Sequence, residues 1–76
     1  MTLEELRDTH GFSIEDIALA LRVSRMAVYM WEQGKATPNT KNLRKLANLF
    51  DTTMDEMMSI IQETQKHRFS KEGLVW

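Results

Sequence analysis

Between Ile14 and Gln33, Ile17, Ala18 and Leu21 fall at helical spacing, Val23 follows alone, and Val28 and Trp31 resume the spacing. Only Arg22-Val23-Ser24 separates Leu21 from Arg25, where the second helical run opens, so the pattern predicts two short helices meeting at a tight turn. Two helices that cross steeply after three or four residues need a small side chain where their backbones come closest. Ala18 stands there, one turn into the first helix. Val23 fills the inside of the turn, and Val28 and Trp31 pin the second helix onto a bundle. The second helix opens with Ser24-Arg25-Met26 and keeps an outer face of Arg25, Met26, Tyr29 and Met30 that a core does not require.

Start and stop signals mark five helices in all. The first runs from about Thr2 to His10, with Leu3 and Leu6 inward and Gly11 ending it. Ser13 caps the second, with Asp16 in a capping-box position. Ser24 caps the third, which continues to about Gln33 and stops at Gly34. Lys35 to Asn39, holding the single proline, is a loop. Thr40 is expected to cap the fourth helix, whose inner face is Leu43, Leu46, Ala47 and Phe50. After a turn at Asp51-Thr52-Thr53, a fifth helix starts near Met54, with Met57, Met58 and Ile61 inward, and runs to about Gln65. No stretch alternates apolar and polar residues long enough to predict a strand. The expected architecture is all-α, a compact five-helix bundle over residues 1–65 with a short C-terminal tail over 66–76.

Seventy-six residues without cysteine exclude disulfide staples and thiolate metal sites, so the apolar core must carry stability. No apolar run approaches the ~20 residues of a membrane span, and the N-terminus has no signal-peptide pattern. A soluble protein of the cytoplasm is the expectation. The net charge of -1 conceals a strong asymmetry. Residues 1–21 set Arg7 against five carboxylates, a net −4, and residues 46–76 set three cations against five carboxylates, a net −2. Residues 22–45 set Arg22, Arg25, Lys35, Lys41, Arg44 and Lys45 against Glu32 alone, a net +5. The basic charge lies on the segment that carries the second helix of the pair, as a phosphate-facing footprint requires.

Taken together, the paired helices and the charge fit a helix-turn-helix that places side chains in the DNA major groove. Leu6-Arg7, Ser13 to Leu21, Val23-Ser24-Arg25, Val28, Trp31-Glu32-Gln33-Gly34-Lys35, Pro38, Leu43 to Ala47 and Met54-Asp55-Glu56-Met57 carry a closer likeness. Over roughly Leu3 to Ile60 the chain resembles the phage lambda-repressor-like (Cro/cI, or XRE) helix-turn-helix domains. The resemblance implies that Arg25, Met26, Ala27, Tyr29 and Met30 face base edges. Arg25 can reach guanine O6 and N7 bidentately, and the methionines and Ala27 suit thymine methyls. It implies phosphate contacts for Ser24, Gln33, Lys35, Thr37 and Asn39, with Arg22, Lys41 and Arg44 as further candidates. It also implies a partly buried ion pair between Arg7 and Glu32. Double-stranded DNA is the implied partner, bound by a homodimer acting as a small Cro-type repressor.

Three departures from the family pattern stand out. Arg22 replaces the usual turn glycine, where a left-handed backbone costs ~1 kcal/mol. Ile14 replaces a glutamine that braces the reading helix, which predicts an exposed apolar residue there. No basic arm precedes the first helix. The tail carries Phe69, Leu74, Val75 and Trp76, apolar side chains expected to dock on the domain, on a second copy or on a partner.

His10 and His67 lack ligand partners at metal spacing and read as plain surface or cap histidines. With no glycine-rich phosphate loop and no nucleophile constellation, neither an enzyme, a cofactor nor a metal is expected. A second reading uses the same fold as a protein-interaction module, either an antirepressor that binds a phage repressor or an antitoxin. The acidic flanks, Ile14, the methionines of the outer face and the apolar tail fit it. A ring-forming helix-turn-helix protein without DNA binding is a third.

Overall fold

Each helix of the chain begins with the same device, a short polar side chain in extended backbone that takes up a free amide of the first turn. The computed structural model describes the backbone of residues 1–73 and the side chains of residues 1–66. It contains helices α1 (Leu3–Thr9), α2 (Ile14–Leu21), α3 (Arg25–Glu32), α4 (Thr40–Leu49) and α5 (Met54–Gly73), and no strand among the described residues. Thr2 and Glu5 form a full capping box on α1, and Ser13 and Asp16 form a second on α2. Ser24 Oγ accepts from the Ala27 amide at 3.0 Å, and Thr53 Oγ1 accepts from the Glu56 amide at 3.1 Å. On α4 the cap is Asn39, whose Oδ1 accepts from the Asn42 amide at 2.9 Å. That corrects the expectation for Thr40, which is the first helical residue; the asparagine carbonyl one position earlier takes the capping role.

The helices stop where the backbone turns left-handed or caps itself. Gly11 and Gly34 both have φ of 73° and end the two chain segments predicted to stop there. Arg22 adopts φ 59°, ψ 47° at the end of α2, so this side chain bears the left-handed cost that glycine avoids. The reversal lets the Val23 amide reach back to the Ala18 carbonyl at 3.0 Å, which closes the last turn of α2.

One core joins all five helices. Leu3 and Leu6 come from α1, Ile17, Ala18 and Leu21 from α2, Val28 and Trp31 from α3, Leu46 and Ala47 from α4 with Phe50 at its cap, and Met57 and Ile61 from α5. α2 packs across α3 and α4, α5 packs along α4, and α1 bridges α3 and α5. Leu43 is half-buried at the edge of this core. His10 caps α1 and sets its ring edge-on to Phe50, with centroids 5.0 Å apart.

Three sequence expectations change. Met58 is 45% exposed; it lies a full 100° around the helix from Met57, so both cannot share the inner face. Ile14 is half-buried against the core rather than exposed. α5 continues eight residues beyond Gln65, to Gly73. Half of its last ten residues are glutamine, glutamate, lysine or arginine and none is proline, so the helix propagates with no apolar stripe to guide the eye. The side chain of Phe69, and Leu74, Val75 and Trp76 altogether, lie outside the described residues, as does the His67 side chain.

α5 also supplies a contact that helical pattern alone does not reveal. Thr64 is buried; its hydroxyl accepts from the Leu3 amide at 2.8 Å and donates to the Ile60 carbonyl at 2.8 Å. It thereby satisfies an amide at the start of α1 that the helix cannot pair internally. Thr64→Val keeps the volume but leaves the buried Leu3 N–H without a partner, and is expected to cost about 1–3 kcal/mol. Thermal denaturation of the variant checks this, since each kcal/mol corresponds to roughly 4–8 °C in a domain of this size. An unchanged midpoint would refute the assignment.

Candidate nucleic-acid interface

The left-handed turn at Arg22 and the extended residue Ser24 set the direction of α3, and with it the side chains that face outward. Arg25, the first helical residue, is exposed, Met26 is 65% exposed and Tyr29 45% exposed. Tyr29 lies four residues from Arg25 and three from Met26, so it neighbours both, and the three together form an exposed strip on α3. Ala27 and Met30 are only half-buried neighbours of that strip, and Ala27 packs on the core. The Met30 carbonyl accepts from the amides of both Lys35 and Ala36, at 3.0 and 3.3 Å, which turns the chain out of α3 into the following loop. The outer face is thus narrower than the sequence suggests, with Arg25, Met26 and Tyr29 at its centre.

Polar groups flank the strip on both sides. Ser24 spends one lone pair on the cap and keeps its O–H free to donate. Asn39 uses its side-chain carbonyl on α4 and retains its NH₂ donors. Gln33 is the half-buried C-cap of α3, with its amide on the Tyr29 carbonyl at 2.9 Å. Lys35, Thr37 and Lys41 are exposed, as are Arg22 and Arg44. Lys45 is drawn out of this set: its ammonium donates to the Leu21 carbonyl at 3.0 Å and closes the C-terminus of α2. A cation there complements the negative end of the helix. The exposed positive charge of this segment therefore comes from Arg22, Arg25, Lys35, Lys41 and Arg44.

Arg7 and Glu32 meet as the resemblance implies. Arg7 Nε donates to Glu32 Oε2 at 2.6 Å and Nη2 donates to Oε1 at 3.3 Å, a two-pronged contact. Nη1 donates to the Phe12 carbonyl at 2.9 Å and lies 3.5 Å from Asp8. The Glu32 side chain is 3% exposed and that of Arg7 13%. The hydrogen bond to Glu32, with the charges of Glu32 and Asp8, raises the Arg7 pKa above its ordinary value against the opposing effect of burial. One guanidinium thus ties the end of α3 to α1 and to the residue that leads into α2.

Two long-range contacts escaped the sequence reading. Besides Thr64, Gln65 Nε2 donates to Thr37 Oγ1 across 28 residues of sequence. Thr64 occupies the inward stripe of Met57 and Ile61, and a polar residue at such a position is the one signal that pointed to it. Nothing in the chain marks Gln65. Among the described residues no three His, Asp or Glu side chains converge as a metal site, and no helix is long and apolar enough to cross a membrane.

The helix-turn-helix family profile matches residues 3–57. The chain is 39% identical over 57 residues to the HTH-type transcriptional activator BcrR of Enterococcus faecalis, covering 75% of this chain and 28% of that protein. It is 36% identical over 74 residues to the HTH-type transcriptional regulator AnsR of Bacillus subtilis, covering 97% and 64%. A putative HTH-type transcriptional regulatory protein of Thermococcus kodakarensis, TK0539, is 32% identical over 60 residues, covering 79% and 19%. The chain thus spans between about a fifth and two thirds of the length of these relatives. No solved structure matches it at comparable significance. With five helices in the expected order, a left-handed turn between α2 and α3, and a family match over most of its length, the chain belongs to the lambda-repressor-like, XRE-type helix-turn-helix family.

Proposed function

We propose that this chain is a DNA-binding transcriptional regulator that lays α3 in the major groove. The observation that carries the reading is the exposed strip of Arg25, Met26 and Tyr29, flanked in sequence by the exposed cations Arg22, Lys35 and Lys41. Arg25 reads guanine, Met26 and Tyr29 make apolar contact with thymine methyls, and the flanking groups hold phosphates. Ser24, Gln33, Thr37 and Asn39 add neutral contacts to the backbone. One domain grips a single groove segment, so the operator is read as two half-sites about one helical turn apart by two copies of the chain. Relatives named as transcriptional regulators agree with this reading.

The test is a titration of promoter and random duplexes at several salt concentrations. If Arg22, Lys35 and Lys41 each neutralise one phosphate, log K falls against log salt with a slope of about −3 per copy. Two chains per operator are expected. No binding at low salt would overturn the reading.

A further inference from the structure

The α3–α4 loop places Thr37 between the exposed Lys35 and Lys41, directly before a buried proline. Pro38 restricts the Thr37 backbone to extended conformations, so the loop is anchored below and presents the threonine outward. Its hydroxyl would ordinarily rotate freely in solvent. Here its oxygen accepts from Gln65 Nε2, on the half-buried flank of α5. A hydroxyl whose oxygen already accepts one N–H is left with its own proton to give, directed away from that donor. It is also a stronger donor, because consecutive hydrogen bonds polarise one another.

We propose that Gln65 is a positioning residue for DNA binding: it holds Thr37 so that the threonine hydroxyl donates to a backbone phosphate. The proposal rests on the DNA-binding reading above. Gln65 lies outside residues 3–57, the stretch that matches the family, so the contact comes from beyond the matched helix-turn-helix segment. Its neighbour Thr64 locks the same turn of α5 onto the start of α1, which fixes the register from which Gln65 reaches the loop. Because a hydroxyl carries no charge, it releases no counterions from DNA. Its contribution must therefore appear in affinity and not in the salt dependence.

The experiment compares the unmodified chain with Gln65→Ala, Thr37→Val, Thr37→Ser and the double variant Gln65→Ala/Thr37→Val on operator and random duplexes over a salt series. Thermal unfolding of each is measured alongside. Gln65→Ala and Thr37→Val are each expected to weaken binding about three- to tenfold, equally on both duplexes and with the salt slope unchanged. The double variant should lose no more than Thr37→Val alone, and Thr37→Ser should bind like the unmodified chain. Additive losses, or a Gln65→Ala that lowers the unfolding midpoint but binds normally, would assign Gln65 a purely structural role and overturn the proposal. Failure of the unmodified chain to bind DNA overturns both readings, whereas normal binding by Gln65→Ala overturns this one alone.

Discussion

Replacing Arg7 by alanine is expected to destabilise the fold by about 3–5 kcal/mol, the characteristic cost of stranding a buried charge. The Glu32 carboxylate is 3% exposed and receives both prongs of the guanidinium. Alanine leaves it in the interior with no cation to replace the water it lost. The Phe12 carbonyl loses its donor in the same step. A domain of this size has a total stability of roughly 5–15 kcal/mol, so the variant should be close to unfolding at ambient temperature.

Denaturant unfolding measures the loss directly, and a cost below about 1 kcal/mol would mean that the pair is solvated rather than buried. Replacing both partners, as in Arg7→Met/Glu32→Leu, is expected to cost less than Arg7→Ala, since it removes the stranded charge together with the attraction. Because its pKa is raised, the Arg7 guanidinium stays charged throughout the ordinary range of arginine. Its own titration removes stability only as pH rises through the raised value.

The second large effect is on recognition. Arg25→Ala is expected to reduce the preference for operator over random DNA by about 1–3 kcal/mol, roughly five- to 150-fold. Arg25 offers the one bidentate polar contact on a strip otherwise made of Met26 and Tyr29. Its exposure at the start of α3 places it outside the core, so the unfolding midpoint should move by no more than a surface substitution moves it. Lys35→Ala supplies the contrast: it should weaken binding to all sequences alike and reduce the salt slope by about one. If Arg25→Ala behaves like Lys35→Ala, Arg25 holds a phosphate and the reading of bases falls to the apolar side chains.

Much of the molecule was legible in local sequence because its signals are local. A serine three residues before an aspartate closes a capping box within one turn, as Ser13 and Asp16 do. Apolar spacing likewise found Ile17, Ala18, Leu21, Val28 and Trp31, all of them buried. The Arg7–Glu32 pair came from resemblance to a family and not from spacing, since two charges 25 residues apart carry no mark of each other.

The misjudged positions have separate causes. Asn39 and Thr40 are both good caps, and only the path of the incoming loop chooses between them. Ile14 was expected to be exposed because it stands where the family carries a glutamine, yet the core extends far enough to cover half of it. The end of α5 was missed because the apolar stripe fades before the helix does.

By itself, the sequence determined the number and order of helices, the turn between α2 and α3, most of the core and the segment that carries the positive charge. These follow from capping chemistry and helical periodicity, which act within a few residues. Tertiary structure alone decided that Lys45 turns inward to the end of α2 and that Thr64 completes the start of α1. It alone brought Gln65 to Thr37. Each of those outcomes depends on where distant elements come to rest. A polar side chain takes whichever unpaired donor or acceptor the packing brings within reach, and leaves no periodic trace in the chain.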